Sequence, residues 1–232
     1  MSQRSAPDVV PAGDAAVLAV FGEEISPDLY ARVRALAKAI ESNPIPGLGE
    51  LVLSYAALMV YFDPLALSFE QVKSLVMERV GQAVPTDVGE SRLRELPTVF
   101  GGCYGIDLPD VARQLGLSES EVIRIFCDAT YTVYMLGHTP GNPYMGGLPP
   151  RLAMPRLERP RERVPAGTVA LAHQATVYPL TSPGGWRWLG RTPIKLFDPS
   201  ADPPNYLQAG DRVRFIPISE EEYLRMGGEK CS

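Results

Sequence analysis

From Gly137 onward, glycine and proline interrupt the chain every few residues. Proline removes a backbone donor and fixes φ, and glycine permits reversals, so no long helix runs through such spacing. Between the interruptions lie short apolar, β-branched runs at 169–172, 176–180, 194–197 and 212–217, preceded by one at 130–136. Short strands separated by turn chemistry predict a mainly-β barrel or sandwich. The C-terminal part must therefore build its core from sheet.

The first ninety residues have a different texture. An apolar run at 15–21 reads as a strand, and Ser26 and Pro27 then open a helix. Leu29, Val33, Leu36, Ala37 and Ile40 share one face of it, and the proline-rich stretch from Asn43 ends it. Two strand-like runs at 50–54 and 58–62 are close enough to form a hairpin. Ser68 with Gln71 forms a capping box for a second helix, stapled by Leu67 on Val72. With a last strand at 94–99, the order βαββαβ predicts a ferredoxin-like α+β domain. The polar stretch 81–92 reads as a linker, which gives domains at 1–90 and 91–232.

A length of 232 residues with 45% apolar content suits two ordinary domains. No apolar run approaches the ~20 residues of a membrane span, and the N-terminal stretch lacks the apolar region of a secretory signal. Cys103, Cys127 and Cys231 are odd in number and far apart, which argues against a disulfide framework and against a zinc site. With only His138 and His173, no His-rich metal site is expected. These features predict a cytoplasmic protein without membrane attachment. The net charge of −5 argues against nucleic acid and anionic membranes.

Residues 107–128 predict two short helices that part at Gly116, the second opened by a Ser118–Glu121 capping box with a staple from Leu117 to Val122. The pattern resembles a DNA-binding helix-turn-helix. In that motif the start of the second helix meets dense phosphate charge, and here that start carries Glu119 and Glu121. An ordinary packed hairpin is the reading the charges favour.

A succession of blocks fills residues 131–211. It runs Tyr134-Met-Leu-Gly-His-Thr-Pro-Gly-Asn-Pro-Tyr-Met-Gly-Gly-Leu, Pro150-Arg-Leu-Ala-Met-Pro-Arg, Arg163-Val-Pro-Ala-Gly-Thr-Val and Gln174-Ala-Thr-Val-Tyr-Pro. Ser182-Pro-Gly-Gly-Trp, Gly190-Arg-Thr-Pro, Leu196-Phe-Asp-Pro and Gly210-Asp-Arg-Val-Arg-Phe follow. This succession resembles the pattern of the 5-oxoprolinase B-subunit family, also known as the KipI or allophanate-hydrolase-subunit-1 family. There the corresponding blocks read YMLGFxPGFPYLGGL, RVPAGSV, QTGIYP, SPGGW, GRTP, LFDP and GDRVRF.

The resemblance implies a cyclophilin-like barrel for the C-terminal domain. It implies one component of an ATP-dependent 5-oxoprolinase, converting 5-oxoproline, ATP and water to glutamate, ADP and phosphate. Its partners would be the homologous C subunit and the A subunit of 5-oxoprolinase. Other members inhibit a sporulation histidine kinase, and a diverged amidohydrolase component with another lactam or amide substrate is a further alternative. Four positions depart from the pattern: His138 and Asn142 stand where the family has Phe, Ala175 where it has Thr, and Thr176 where it has Gly.

The chain has no GxxxxGK[ST] loop, GxSxG elbow or HExxH helix. ATP would accordingly be bound mainly by, or together with, a partner, and no residue is assigned as catalytic. His138, Asn142 and Tyr144 form either a polar pocket for an amide or carboxylate, or a loop bonded to its own backbone. Arg156 and Arg163, within an Arg/Pro-rich run, form either an oxyanion-binding wall or a solvated loop. Gly184 and Gly185 make a turn before Trp186, which fills the core or lines a pocket. Gln174 reads a substrate amide or ends a strand. Arg191 either contacts substrate or pairs with Asp198. Together these residues predict a cleft bordered by 138–147, 156–163 and 183–186.

Overall fold

The chain divides into two compact units, Met1–Glu90 and Ser91–Ser232. The computed structural model describes residues 6–83 and 92–231.

In the first unit, β1 (Asp8–Pro11) and β2 (Ala16–Val20) precede α1 (Pro27–Glu41). Then come β3 (Leu48–Leu53), β4 (Ala57–Phe62) and α2 (Phe69–Gln82). The strands form one antiparallel sheet in the order β1-β2-β4-β3. Strand alternation sends Val17, Ala19, Leu58 and Val60 to the side where Val33, Leu36, Val72 and Val76 of the helices meet them in one core. Full burial of a Val or Leu side chain contributes about 1.5–3 kcal/mol. Ser68 and Gln71 close the expected capping box. Ser26 occupies the N-cap position of α1, but its side chain makes no cap hydrogen bond.

The ferredoxin-like order is not what this unit shows. Its sheet contains β1, a short strand ending in Pro11 that the sequence pattern did not reveal, and the run expected at 94–99 belongs to the second unit. The expected linker also begins later than residue 81, because α2 continues through Gln82. Residues 84–91 of that stretch lie outside the described residues.

The second unit opens with β5 (Leu93–Phe100). A short 3-10 turn, α3 (Leu108–Leu115) and α4 (Glu119–Asp128) follow. The strands after them are β6 (Tyr131–Leu136), β7 (Pro143–Gly146), β8 (Arg161–Val164), β9 (Thr168–Leu171) and β10 (Ala175–Val177). β11 (Ser182–Gly184), β12 (Arg187–Arg191), β13 (Arg212–Pro217) and α5 (Glu220–Arg225) complete it. Seven strands close a barrel in the order β10-β7-β6-β13-β5-β12-β9, and β8 and β11 form a separate two-stranded ribbon. β5 pairs parallel with β13, more than a hundred residues away, from Leu93 opposite Arg212 to Thr98 opposite Pro217. That long-range pairing withdraws residues 93–100 from the first unit.

The hairpin of α3 and α4 packs on the barrel. Gly116 takes the left-handed conformation, φ 65°, that lets the chain reverse between the helices. Phe126 of α4 packs its ring 4.8 Å from Phe215 and 5.2 Å from Tyr131, and the Tyr131 hydroxyl donates to the Phe126 carbonyl at 2.9 Å. Val122 and Phe126 are wholly buried, so the apolar face of α4 is committed to the barrel core.

The run at 194–197 is not a strand. Only an isolated bridge joins Phe197 to Asn205, in a stretch framed by Pro193 and Pro199. The expected absence of disulfides is also overturned: Cys103, in the 3-10 turn, pairs with Cys231, their Cα atoms 6.1 Å apart. Their separation of 128 residues hides the pair from any spacing rule. No helix among the described residues is long and apolar enough to cross a membrane.

Candidate functional site

The barrel unit carries a cleft of about 260 Å³. His138 and Asn142, from the loop after β6, border it with Tyr144 of β7. Thr176 and Tyr178 come from β10 and its end, Arg156 and Pro160 from the segment before β8. The Pro183–Trp186 turn completes the lining.

The β6–β7 loop is a closed turn. Asn142 N–H donates to the Thr139 carbonyl at 3.1 Å, and Gly137 N–H donates to the Asn142 carbonyl at 3.0 Å. Within it His138 adopts φ 70°, the left-handed region that side chains seldom occupy. Such residues persist where the surrounding structure over-determines them, commonly at binding loops. His138 is exposed at the rim, while Asn142 is buried.

Tyr178 is buried beside Gly184. A Cβ on Gly184 would lie 2.2 Å from the Tyr178 hydroxyl oxygen, so only glycine admits the ring at this point. Burial pushes the Tyr178 phenol up from its ordinary pKa, and it stays neutral. The nearby Trp186 backbone opposes that rise without cancelling it. Trp186 is half-buried: it packs against Val164, Ala170 and Tyr178 and borders the cleft as well, so it serves core and pocket together. The Arg156 guanidinium lies over the Trp186 ring, 5.3 Å from its centroid.

The segment carrying Arg156 is tied down on both sides. Arg187, buried on β12, donates through Nε to the Pro155 carbonyl at 3.2 Å and is held by Asp110 at 3.0 Å. Leu157 N–H donates to the Gly185 carbonyl at 2.7 Å. Next to it, Asp107 accepts both terminal nitrogens of Arg161, at 2.9 and 2.7 Å, and the Trp188 N–H at 2.8 Å. Two carboxylates of the helical hairpin, buried Asp107 and half-buried Asp110, thus fix the strands flanking the cleft.

Seven of the ten residues singled out from sequence therefore border one cleft: His138, Asn142, Tyr144, Arg156, Gly184, Gly185 and Trp186. The other three lie elsewhere. Arg163 is an exposed residue of β8. Gln174 sits in the β9–β10 turn, where its carbonyl accepts the Ala172 N–H at 2.8 Å. Arg191 donates to the Ala166 carbonyl at 2.8 Å and to Glu229 at 3.0 Å, so it does not pair with Asp198. Asp198 is bound instead by Lys195 and Ser200, which hold its carboxyl well below the usual carboxylate range.

Thr176 and Tyr178 were not read from sequence as site residues. Their spacing of two along a strand, which puts both side chains on one face, is the signal that could have found them. None of the cleft's lining residues is acidic. No carboxylate pairs with Arg156 among the described residues. The cleft offers hydrogen-bond donors and one cation, a chemistry suited to a small ligand with carbonyl and carboxylate oxygens.

Known proteins are similar to this chain in sequence and in fold. The family model described as carboxyltransferase domain, subdomain C and D, matches residues 7–207. The chain is 42% identical over 222 residues to the B subunit of 5-oxoprolinase from Bacillus subtilis (strain 168), covering 91% of this chain and 92% of that protein. It is similar to the crystal structure of TTHA0988, with TM-score 0.77 and 38% identity over 88% of this chain, and spans 40% of that longer chain. The Kluyveromyces lactis urea carboxylase shares the fold, with TM-score 0.79 at 21% identity over 97% of this chain and 23% of that one.

Proposed function

The chain belongs to the 5-oxoprolinase B-subunit family, and from that membership we propose that it is one component of an ATP-dependent amidohydrolase that opens a small lactam carboxylate. 5-Oxoproline, after which the relatives are named, is the reference substrate: with ATP and water it gives glutamate, ADP and phosphate. The homologous C subunit and the A subunit complete the enzyme. The naming of the relatives as one subunit among several supports partners, and so does the longer chain of TTHA0988, of which this one matches less than half.

The observation that carries the reading is the donor-lined cleft. Arg156 binds the carboxylate of the ligand, its guanidinium face held by Trp186. Tyr178, kept neutral by burial, donates its proton to a ligand oxygen. The half-buried Trp186 ring supplies an apolar wall for the lactam ring and excludes water from one side of it.

The cleft does not fit ATP. It holds a single guanidinium, no lysine and no glycine-rich loop opening a helix, so nothing here cradles a triphosphate. Nucleotide binding and phosphoryl chemistry fall to the partners. The test is an omission experiment, in which glutamate release from 5-oxoproline with ATP is measured with this chain alone, partners alone and all subunits together. Activity confined to the complete set supports the reading; equal activity without this chain refutes it.

A further inference from the structure

The bond between Cys103 and Cys231 joins a fixed post to a lightly held tail. Cys103 sits in the turn after β5. Gly101 N–H donates to the Leu189 carbonyl at 3.0 Å and Asp107 N–H to the Trp188 carbonyl at 3.2 Å, so both ends of that turn are fastened to β12. Cys231 lies beyond α5, where the chain is neither helix nor strand. The hydrogen bonds of that segment run back to α5: Gly227 and Gly228 donate to the Leu224 and Tyr223 carbonyls, both at 3.0 Å. Glu229 pairs with Arg191 at 3.0 Å, but its side chain is 82% exposed and such a pair contributes little.

The tail covers a small apolar cluster. Val99, Tyr104 and Tyr223 form it with Ile218 and Cys231 itself, and the two tyrosine rings are 5.0 Å apart. The Tyr104 hydroxyl donates to Glu220 at 3.0 Å and lies against the Cys231 backbone. Cys103 is exposed and Cys231 half-buried, so a small thiol reaches the bond from the Cys103 side. Exposed disulfides are the labile ones. The remaining cysteine, Cys127, is a partly buried thiol pushed up to about 12, which keeps it out of exchange.

We infer that Cys103 and Cys231 form a reversible thiol–disulfide site, whose oxidation latches residues 226–231 over Tyr104 and Tyr223 and whose reduction by a small thiol releases them. A thiolate attacks the Cys103 sulfur, the bond to Cys231 breaks, and Cys231 leaves as a thiolate. A second thiolate then attacks the mixed disulfide, freeing Cys103 and giving the oxidised small-molecule disulfide. Two electrons pass to the protein, and the two cysteine thiolates take up the protons that the small thiols lost. Neither cysteine borders the cleft, so the latch is independent of the lactam reading.

The test equilibrates the full chain under native conditions in buffers of varied reduced to oxidised glutathione ratio. Acid quenching, denaturation and alkylation then count free thiols by mass. A reversible step between one free thiol and three is expected. Hydrogen exchange at residues 226–231 should be about tenfold or more faster in the reduced chain, with residues 138–142 unchanged. Cys231→Ser should show the fast exchange in every buffer, and Cys103→Ser serves if that variant does not fold. A bond that resists reduction until the chain is denatured, thiols that stay reduced in excess oxidised glutathione, or tail exchange that ignores the redox state overturns the inference.

Discussion

The Arg156 guanidinium rests on the face of Trp186, 5.3 Å from the ring centroid, with no carboxylate partner among the described residues. An exposed cation held on an aromatic face is pre-oriented for a planar oxyanion. Arg156→Ala should weaken 5-oxoproline binding about tenfold or more, whereas Arg163→Ala should leave it unchanged. Because Arg156 is exposed, folding stability should move by less than about 0.5 kcal/mol. Calorimetric titration and urea unfolding check the two arms.

Gly184 is required by the Tyr178 ring. A methyl group there would sit 2.2 Å from the phenol oxygen, well inside van der Waals contact. Gly184→Ala should displace Tyr178, cost about 1–3 kcal/mol of stability and abolish ligand binding. Gly81→Ala, where nothing lies within 4 Å of the added carbon, is the control expected to retain both. Urea midpoints and calorimetric titration of the two variants check this.

Asp107 accepts three hydrogen bonds at 7% exposure, two from Arg161 and one from the Trp188 backbone. Asp107→Ala leaves both donors without that partner. The expected loss in urea unfolding is about 2–4 kcal/mol, below the extreme for a broken buried pair because Arg161 keeps partial contact with water. Arg113→Ala removes an ion pair to Asp110 from a side chain that is 73% exposed, and should change stability by less than about 1 kcal/mol.

Burial first, and the Asp128 charge second, push the Cys127 thiol from its ordinary 9.0 up to about 12. Between those values the unfolded chain releases a proton that the folded chain keeps. The contribution to stability is therefore complete below pH 9 and is lost progressively as pH rises toward 12. Buried Tyr131, with its phenol also raised, acts in the same direction. Urea midpoints followed upward from pH 8 should fall, and Cys127→Ala should flatten part of that slope. Denatured, non-reduced protein should show one free thiol, since Cys103 and Cys231 are paired.

Several local signals in the sequence match the structure, although the Ser26 side chain makes no cap hydrogen bond and the run at 194–197 is not a strand. The capping boxes at Ser68 and Ser118 and the strand at Arg212–Pro217 each rest on residues within a few positions of one another. The parallel pairing of Leu93–Phe100 with β13 rests on contacts across most of the unit, so neighbour-based reasoning assigned that strand to the wrong sheet. β8, β11 and β12 are short and carry Arg, Glu, Pro or Gly, which masks their strand character. At the cleft, the loop and turn residues stood out through their unusual chemistry. Thr176 and Tyr178 looked like ordinary strand residues, and Arg191 looked like a site residue because its partner Glu229 lies 38 positions away.

The measurement that bears most directly on the account is lactam-stimulated ATP hydrolysis by the reconstituted complex, with wild-type chain, Arg156→Ala or Arg163→Ala. Stimulation by 5-oxoproline should appear with the wild type and Arg163→Ala and fall about tenfold or more with Arg156→Ala. Equal stimulation with Arg156→Ala, or a complex that hydrolyses ATP at the same rate with and without the lactam, would contradict it.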